Sequence, residues 1–197
     1  MFVSLQTEAQ EQIFKAGIIF GMNASQLDGD RSAGYFKLGL VAGLSGVVLL
    51  SDRIEINIEM LYSQRGSRNT FNEDNSTIPF KISTNFIEIP VIFNFKDWLD
   101  EDGYYKLYFH TGIAYARLIN AKVEDESPVS NLSQAVDDFN KNDLSFLFGV
   151  TFYTGPHLAF TFRWSRSFGA LYFNDILNAP VPSLQNHTIS LRTLYMF

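Results

Sequence analysis

The chain has 197 residues, with 19 Phe, 9 Tyr and 2 Trp, 15 Lys and Arg against 21 Asp and Glu, and no Cys. At 46% hydrophobic and 18% charged it is too apolar for a disordered segment. Its net charge of −6 argues against nucleic acid as a partner, because phosphate binding needs surplus cations. The lack of Cys removes disulfides, thiolate metal sites and a Cys nucleophile.

Residues 1–12 form a separate N-terminal segment that reads as the tail of a signal peptide, and the folded domain is expected over 13–197. From there, alternation of large apolar and small or polar residues recurs eight times, the period of a strand. The first predicted strand, about Ile13 to Asn23, sets Phe14, Ile18, Phe20 and Met22 against Lys15, Gly17, Gly21 and Asn23. The second, Tyr35 to Val48, sets Phe36, Leu38, Leu40 and Leu44 against Lys37, Gly39, Gly43 and Ser45. In the third, Arg53 to Arg65, Ile54, Ile56, Ile58, Met60 and Tyr62 oppose Glu55, Asn57, Glu59 and Ser63. The fourth, about Ile78 to Phe95, sets Ile87, Ile89, Val91 and Phe93 against Glu88, Pro90 and Asn94.

The fifth, Tyr104 to Leu118, carries Phe109, Ile113 and Tyr115 against Lys106, His110, Gly112 and Ala114. The sixth runs through Leu144 to Phe152 and the seventh through Leu158 to Ser165, with Phe160, Phe162 and Trp164 opposite Thr161 and Arg163. The eighth sets Ile189, Leu191, Tyr195 and Phe197 against Thr188, Ser190 and Arg192. The uncharged run Leu144–Phe162 is long enough to suggest a membrane helix, but Gly155-Pro156 interrupts it, so a hairpin is expected.

Connections after the second, fourth and sixth strands are short; those after the first, third, fifth and seventh are longer and polar, with a short helix expected around Leu132 to Phe139. Short and long connections that alternate in this way mark a transmembrane β-barrel with tight turns on one side and loops on the other. Every apolar face is bulky and every opposite face is rich in Gly, Ala, Ser and Thr. Eight bulky faces would overfill a small barrel, so they point outward into lipid. Closure pairs every backbone group in hydrocarbon. The sequence therefore predicts an all-β, eight-stranded antiparallel transmembrane barrel with short periplasmic turns and longer extracellular loops. Tyr35, Tyr62, Tyr115, Trp164, Tyr195 and Phe197 are the expected membrane-interface aromatics, with Trp98, Tyr104 and Tyr172 also near strand ends.

The run Glu59-Met60-Leu61-Tyr62-Ser63-Gln64-Arg65-Gly66-Ser67, followed by Asn85-Phe86-Ile87-Glu88-Ile89-Pro90-Val91, resembles the PorT-like porin family of outer-membrane β-barrel proteins of Bacteroidetes. Lys15-Ala16-Gly17, Gly21-Met22-Asn23 and the closing Leu194-Tyr195-Met196-Phe197 are similar to that family's first and last strands. The resemblance implies the outer membrane of a Gram-negative bacterium. The terminal aromatic resembles the signal read by the barrel-assembly machinery. One branch of the family serves secretion and gliding; the family name does not establish a pore.

Inward-facing charges are expected at Lys15, Lys37, Glu55, Glu59, Glu88, Lys106, Arg163 and Arg192, with His110. Glu59 and Glu88 fall on neighbouring strands and are expected side by side, with Arg163 and Arg192 across the lumen as two-point partners. Paired carboxylates can also act as acid and base, but guanidiniums beside them favour a salt-bridge network that fills the lumen. His110, His157 and His187 have no metal-ligand spacing, and no GxSxG motif is present. The expectation is thus a non-enzymatic integral outer-membrane barrel without cofactor. It would act through its loops or as a subunit of an envelope complex, with secretion among the roles, and have outer-membrane lipid and an envelope protein as partners. The alternatives are a narrow porin-like channel for small solutes and a soluble lipocalin-like ligand-binding barrel.

Overall fold

The computed structural model describes residues 13–28, 35–69, 80–125, 136, 139–173 and 183–197. The N-terminal segment 1–12 lies outside the described residues, as does most of the expected helix around 132–139. Nine strands are present among the described residues: β1 Phe14–Asp28, β2 Lys37–Ser51, β3 Ile54–Asn69, β4 Phe80–Leu99, β5 Tyr105–Asp125, β6 Asn142–Tyr153, β7 Leu158–Ser167, β8 Tyr172–Phe173 and β9 Ser183–Met196. Eight of them make the barrel wall; β8 is a two-residue strand that pairs only with Leu184 and Ser183 of β9.

Each wall strand pairs antiparallel with the next, and β1 pairs with β9, so the sheet closes. From Ala16 the paired positions run through Gly46, Ile58, Val91, Ile113, Phe146, Arg166 and His187, then return to β1 at Gln26. One circuit therefore advances ten residues along β1. A stagger of that size corresponds to strands tilted roughly 40° from the barrel axis. Closure leaves the membrane-embedded wall without an edge, which is the condition for a sheet to cross hydrocarbon.

The wall is inverted relative to a soluble barrel. Phe20 is 62% exposed and Phe160 50%, while Glu59 and Glu88 are 3% and 1% exposed. Those exposed faces overturn the soluble lipocalin-like alternative, whose large apolar side chains would point inward. Small residues on the inner face make room for charged ones. A Cβ on Gly149 would stand 2.7 Å from His110 Nε2 and 2.9 Å from Arg163 Cα.

The strands run past the sequence-based boundaries at the loop rim: β1 to Asp28, β3 to Asn69 and β5 to Asp125. Above the lipid the outer face carries exposed polar side chains such as Arg68, Lys122 and Glu124 while the inner face stays largely buried, so the ladder continues where outward apolar alternation has stopped. Gly66, at φ 144° within this extension, takes a backbone conformation that a residue with a side chain rarely adopts. At the opposite rim Trp98 adopts φ 54°, which turns Asp97, Trp98 and Leu99 all toward solvent or lipid.

Apolar side chains gather inside the lumen toward both ends. Near the short-turn rim Val47, Tyr153, Leu194 and Met196 form a buried cluster, with the Tyr108 ring 4.7 Å from the Tyr153 ring and tilted 36° to it. At the loop rim Leu27, Ile82, Phe86, Ala116 and Leu184 pack with Phe139 and Leu171. Those last two come from the connections that follow β5 and β7, and the backbone N–H of Asn140 donates to Leu171 O at 2.7 Å. Leu171 in turn donates to Leu184 O. Asn140 and Leu171, one from each connection, are thereby tied to each other and to β9.

Candidate functional site

Between the apolar ends lies a layer of buried charge. Glu59 on β3 and Arg163 on β7 meet across the lumen in a two-point pairing, with Nη1 to Oε2 at 2.7 Å and Nη2 to Oε1 at 2.9 Å. Arg192 on β9 adds Nη1 to Oε2 at 3.3 Å, and Asn57 donates to Oε1 at 3.2 Å. The Glu59 carboxylate thus accepts from three side chains on three strands. Arg163 Nε also donates to His110 Nε2 at 3.3 Å. That contact assigns the His110 hydrogen to Nδ1, which faces Thr151. Thr151 is hydrogen bonded to Thr161 at 2.8 Å.

A second group sits toward the loop rim. Arg65 on β3 donates to Glu88 on β4 and, at 3.0 Å, to Asp143 on β6. The Arg65 guanidinium also lies 5.1 Å from the Phe86 ring centre, which joins the ionic group to the apolar cap. The two groups together hold three guanidiniums and three carboxylates, so their buried charges balance. A smaller pair, Lys96 and Glu55 at 3.5 Å, lies toward the short turns, where Asn94 also donates to Glu55 at 3.0 Å.

This arrangement differs from the sequence-based expectation in specific ways. Glu59 and Glu88 are not side by side: the register sets Leu61 opposite Glu88, and Glu59 lies two residues nearer the short turns. Glu88 is paired with Arg65, not with Arg163 or Arg192. Three expected members lie elsewhere. Lys15 is exposed at the short-turn rim. Lys106 pairs with Asp100 at 2.6 Å beside the Trp98 ring. Lys37 sits at the loop rim with Nζ 3.4 Å from Leu38 O. Arg65, Lys96 and Asp143 were missed because each was assigned to a strand end or a connection. The parity of Arg65 with Glu59 on β3 was the available signal.

Of the expected interface aromatics, Tyr62, Tyr115 and Trp164 lie on the outer wall toward the loops, and Tyr115 donates to Asn142 Oδ1 at 2.8 Å. Tyr195 and Phe197 form a second exposed group at the short-turn rim, 5.6 Å between ring centres. Tyr35 is half-buried just ahead of β2. His157 contacts Met196 O at 2.8 Å through Nδ1, and His187 Nε2 lies 3.3 Å from Asp28. Among the described residues no group of three His, Asp or Glu side chains is arranged to hold a metal ion.

At the water-exposed rims the charge pairs are simpler. The Glu124 carboxyl is held down to about 2 by hydrogen bonds from Lys122 and Lys81. Asp100 is lowered by its hydrogen bond from Lys106. Lys37 is pushed below the ordinary lysine value, first by partial burial and then by nearby Lys81.

One wall of the upper lumen is polar and incompletely paired. Ser145 Oγ on β6, Ser167 Oγ on β7, and Thr188 Oγ1 and the Asn186 amide on β9 are buried without a side-chain or backbone partner. Ser145 and Ser167 are register partners, so these groups form one contiguous stripe. Buried hydroxyls of this kind are satisfied by internal water.

Comparison with known proteins places this geometry. Acinetobacter baumannii CarO superposes with a TM-score of 0.51 at 7% identity, covering 95% of this chain and 100% of that one. Neisserial surface protein A gives 0.49 at 13% identity, over 93% and 97%. Yersinia pestis Ail gives 0.45 at 12% identity, over 93% and 98%. These likenesses concern the fold. No curated protein matches the sequence. The family model described as outer membrane protein beta-barrel domain matches residues 6–172. With its closed lipid-facing wall and buried ionic lumen, the chain belongs to the outer membrane protein beta-barrel domain family and resides in the outer membrane of a Gram-negative bacterium.

Proposed function

We propose that the protein is a closed, non-catalytic barrel that works from its extracellular side, as a structural or interaction element of the envelope. The observation that carries this reading is the lumen. Two apolar clusters and two charge-balanced ionic groups lie along it. Such an interior stiffens the wall and keeps ions out, and both carboxylates of the expected acid–base pair are occupied by guanidinium donors. The runs around Glu59–Ser67 and Asn85–Val91 support assignment to the PorT-like, Bacteroidetes branch, in which a secretion-related subunit role is one option. The test is conductance of the purified barrel in planar bilayers. Silence across several hundred millivolts is expected; steady single-channel openings would overturn the reading.

A second reading, a narrow channel for small solutes, is favoured by the polar stripe of Ser145, Ser167, Thr188 and Asn186. The same recordings decide between the two.

A further inference from the structure

The outward face of β3, β4 and β5 above the lipid carries a cationic cluster that the lumen does not explain. In a chain of net charge −6, Arg68, Lys81 and Lys122 stand on three adjacent strands around a single described carboxylate, Glu124. Arg68 and Lys81 are register partners, and so are Lys81 and Glu124. Lys81 Nζ is 3.1 Å and Lys122 Nζ 2.9 Å from Glu124, which draws the two ammoniums together without balancing them. Their side chains stay 41% and 71% exposed.

Directly below on the same wall the surface changes character. Tyr62, Ile87 and Tyr115 are exposed and apolar, with Ile119 at 57% exposure between them and the cations. Arg117, the register partner of Ile87, marks the boundary, with its guanidinium donating to Asn142 Oδ1 at 2.6 Å. An occupant of this strip meets hydrocarbon-facing side chains at one end and, at the other, cations that outnumber the carboxylate among the described residues. That is the chemistry of an amphiphile with acyl chains and an anionic headgroup, and it lies on the loop side of the barrel. Soluble anions use only the upper half of the strip.

We propose that Arg68, Lys81 and Lys122 form a binding site for the phosphorylated headgroup of an outer-leaflet glycolipid, with the acyl chains lying along Tyr62, Ile87 and Tyr115. Lysine and arginine ammonium and guanidinium groups pair with phosphate oxygens, and juxtamembrane cations of this kind contribute additively to lipid binding. The inference rests on the outward-working, membrane-embedded reading above and names one of its partners.

The experiment uses the full barrel in detergent with three probes: bisphosphorylated lipid A, the same lipid after phosphatase treatment, and inorganic phosphate. Retention is read by native mass spectrometry, and correct folding by heat-dependent gel mobility. The bisphosphorylated lipid is expected to bind at least tenfold more tightly than its dephosphorylated form. The R68Q/K81Q/K122Q variant is expected to lose that preference, and R166Q on β7 to keep it. Equal retention with and without lipid phosphates, or an unchanged preference in the triple variant, would overturn the site. Displacement of the lipid by millimolar inorganic phosphate would also overturn it, assigning the cluster to soluble anions. These outcomes are independent of conductance, so the site can fail while the closed-barrel reading stands.

Discussion

Arg163 and Glu59 lie 104 residues apart in the chain and meet in a two-point pairing at 2.7 and 2.9 Å across the barrel. Both are buried, so removing one strands the other. Glu59→Gln is expected to lower unfolding stability by about 3–5 kcal/mol, because it leaves Arg163 and Arg192 buried without their shared carboxylate. Urea unfolding in detergent micelles, followed by Trp fluorescence, measures the loss. An unchanged midpoint would mean that the pairing contributes nothing to the fold.

Arg65 offers a sharper version of the same argument, since it serves Glu88 and Asp143 together. Arg65→Ala is expected to cost at least as much as Glu59→Gln. Adding Glu88→Gln to Arg65→Ala should restore about 1–2 kcal/mol by removing one of the orphaned charges. Strict additivity of the two substitutions would argue against direct coupling.

The outer cap can be opened without touching the charges. Phe139→Ala with Leu171→Ala removes the two loop residues from the apolar cluster, at about 2–5 kcal/mol for each large side chain. Conductance should remain absent, because the Val47, Tyr153 and Met196 cluster still occupies the other end. Channel activity in this variant would locate the barrier in the loops.

The exposed Glu124 cluster titrates where water can follow it. Its folded carboxyl lies at about 2, below the ordinary value, so the contribution of the cluster is complete above about pH 4.5. It is lost as pH falls through 2. NMR titration of the Glu124 side chain should show that low midpoint, moving upward in K81Q and K122Q.

Much of this barrel is legible from period-two alternation, since the lipid belt demands large side chains at every second position of β1 to β7 and β9. Lipid stops imposing that rule a few residues into the loop side. Lys122 and Glu124 therefore read as connection although they are paired strand. Pairing across the lumen was harder to read. Which guanidinium reaches which carboxylate depends on the stagger of the whole circuit, and a one-strand pattern does not contain it. Arg65 illustrates both limits: it stands at the expected end of a strand, and its carboxylates come from β4 and β6.

Closure between β1 and β9 has a consequence for assembly. Ser190 and Arg192 arrive with the last strand, and they bond to Asn23 and Glu59 on strands made much earlier. An unsealed sheet can pair Glu59 with Arg163 but not with Arg192, which leaves the Arg192 guanidinium and the Asn23 Oδ1 acceptor without their native partners, although the Asn23 N–H groups still donate to Ser63 and Gln64 O. The interior charges thus act as a proofreading device: a barrel zipped in a shifted register carries unmatched ions into the bilayer, and the native stagger is the one that cancels them.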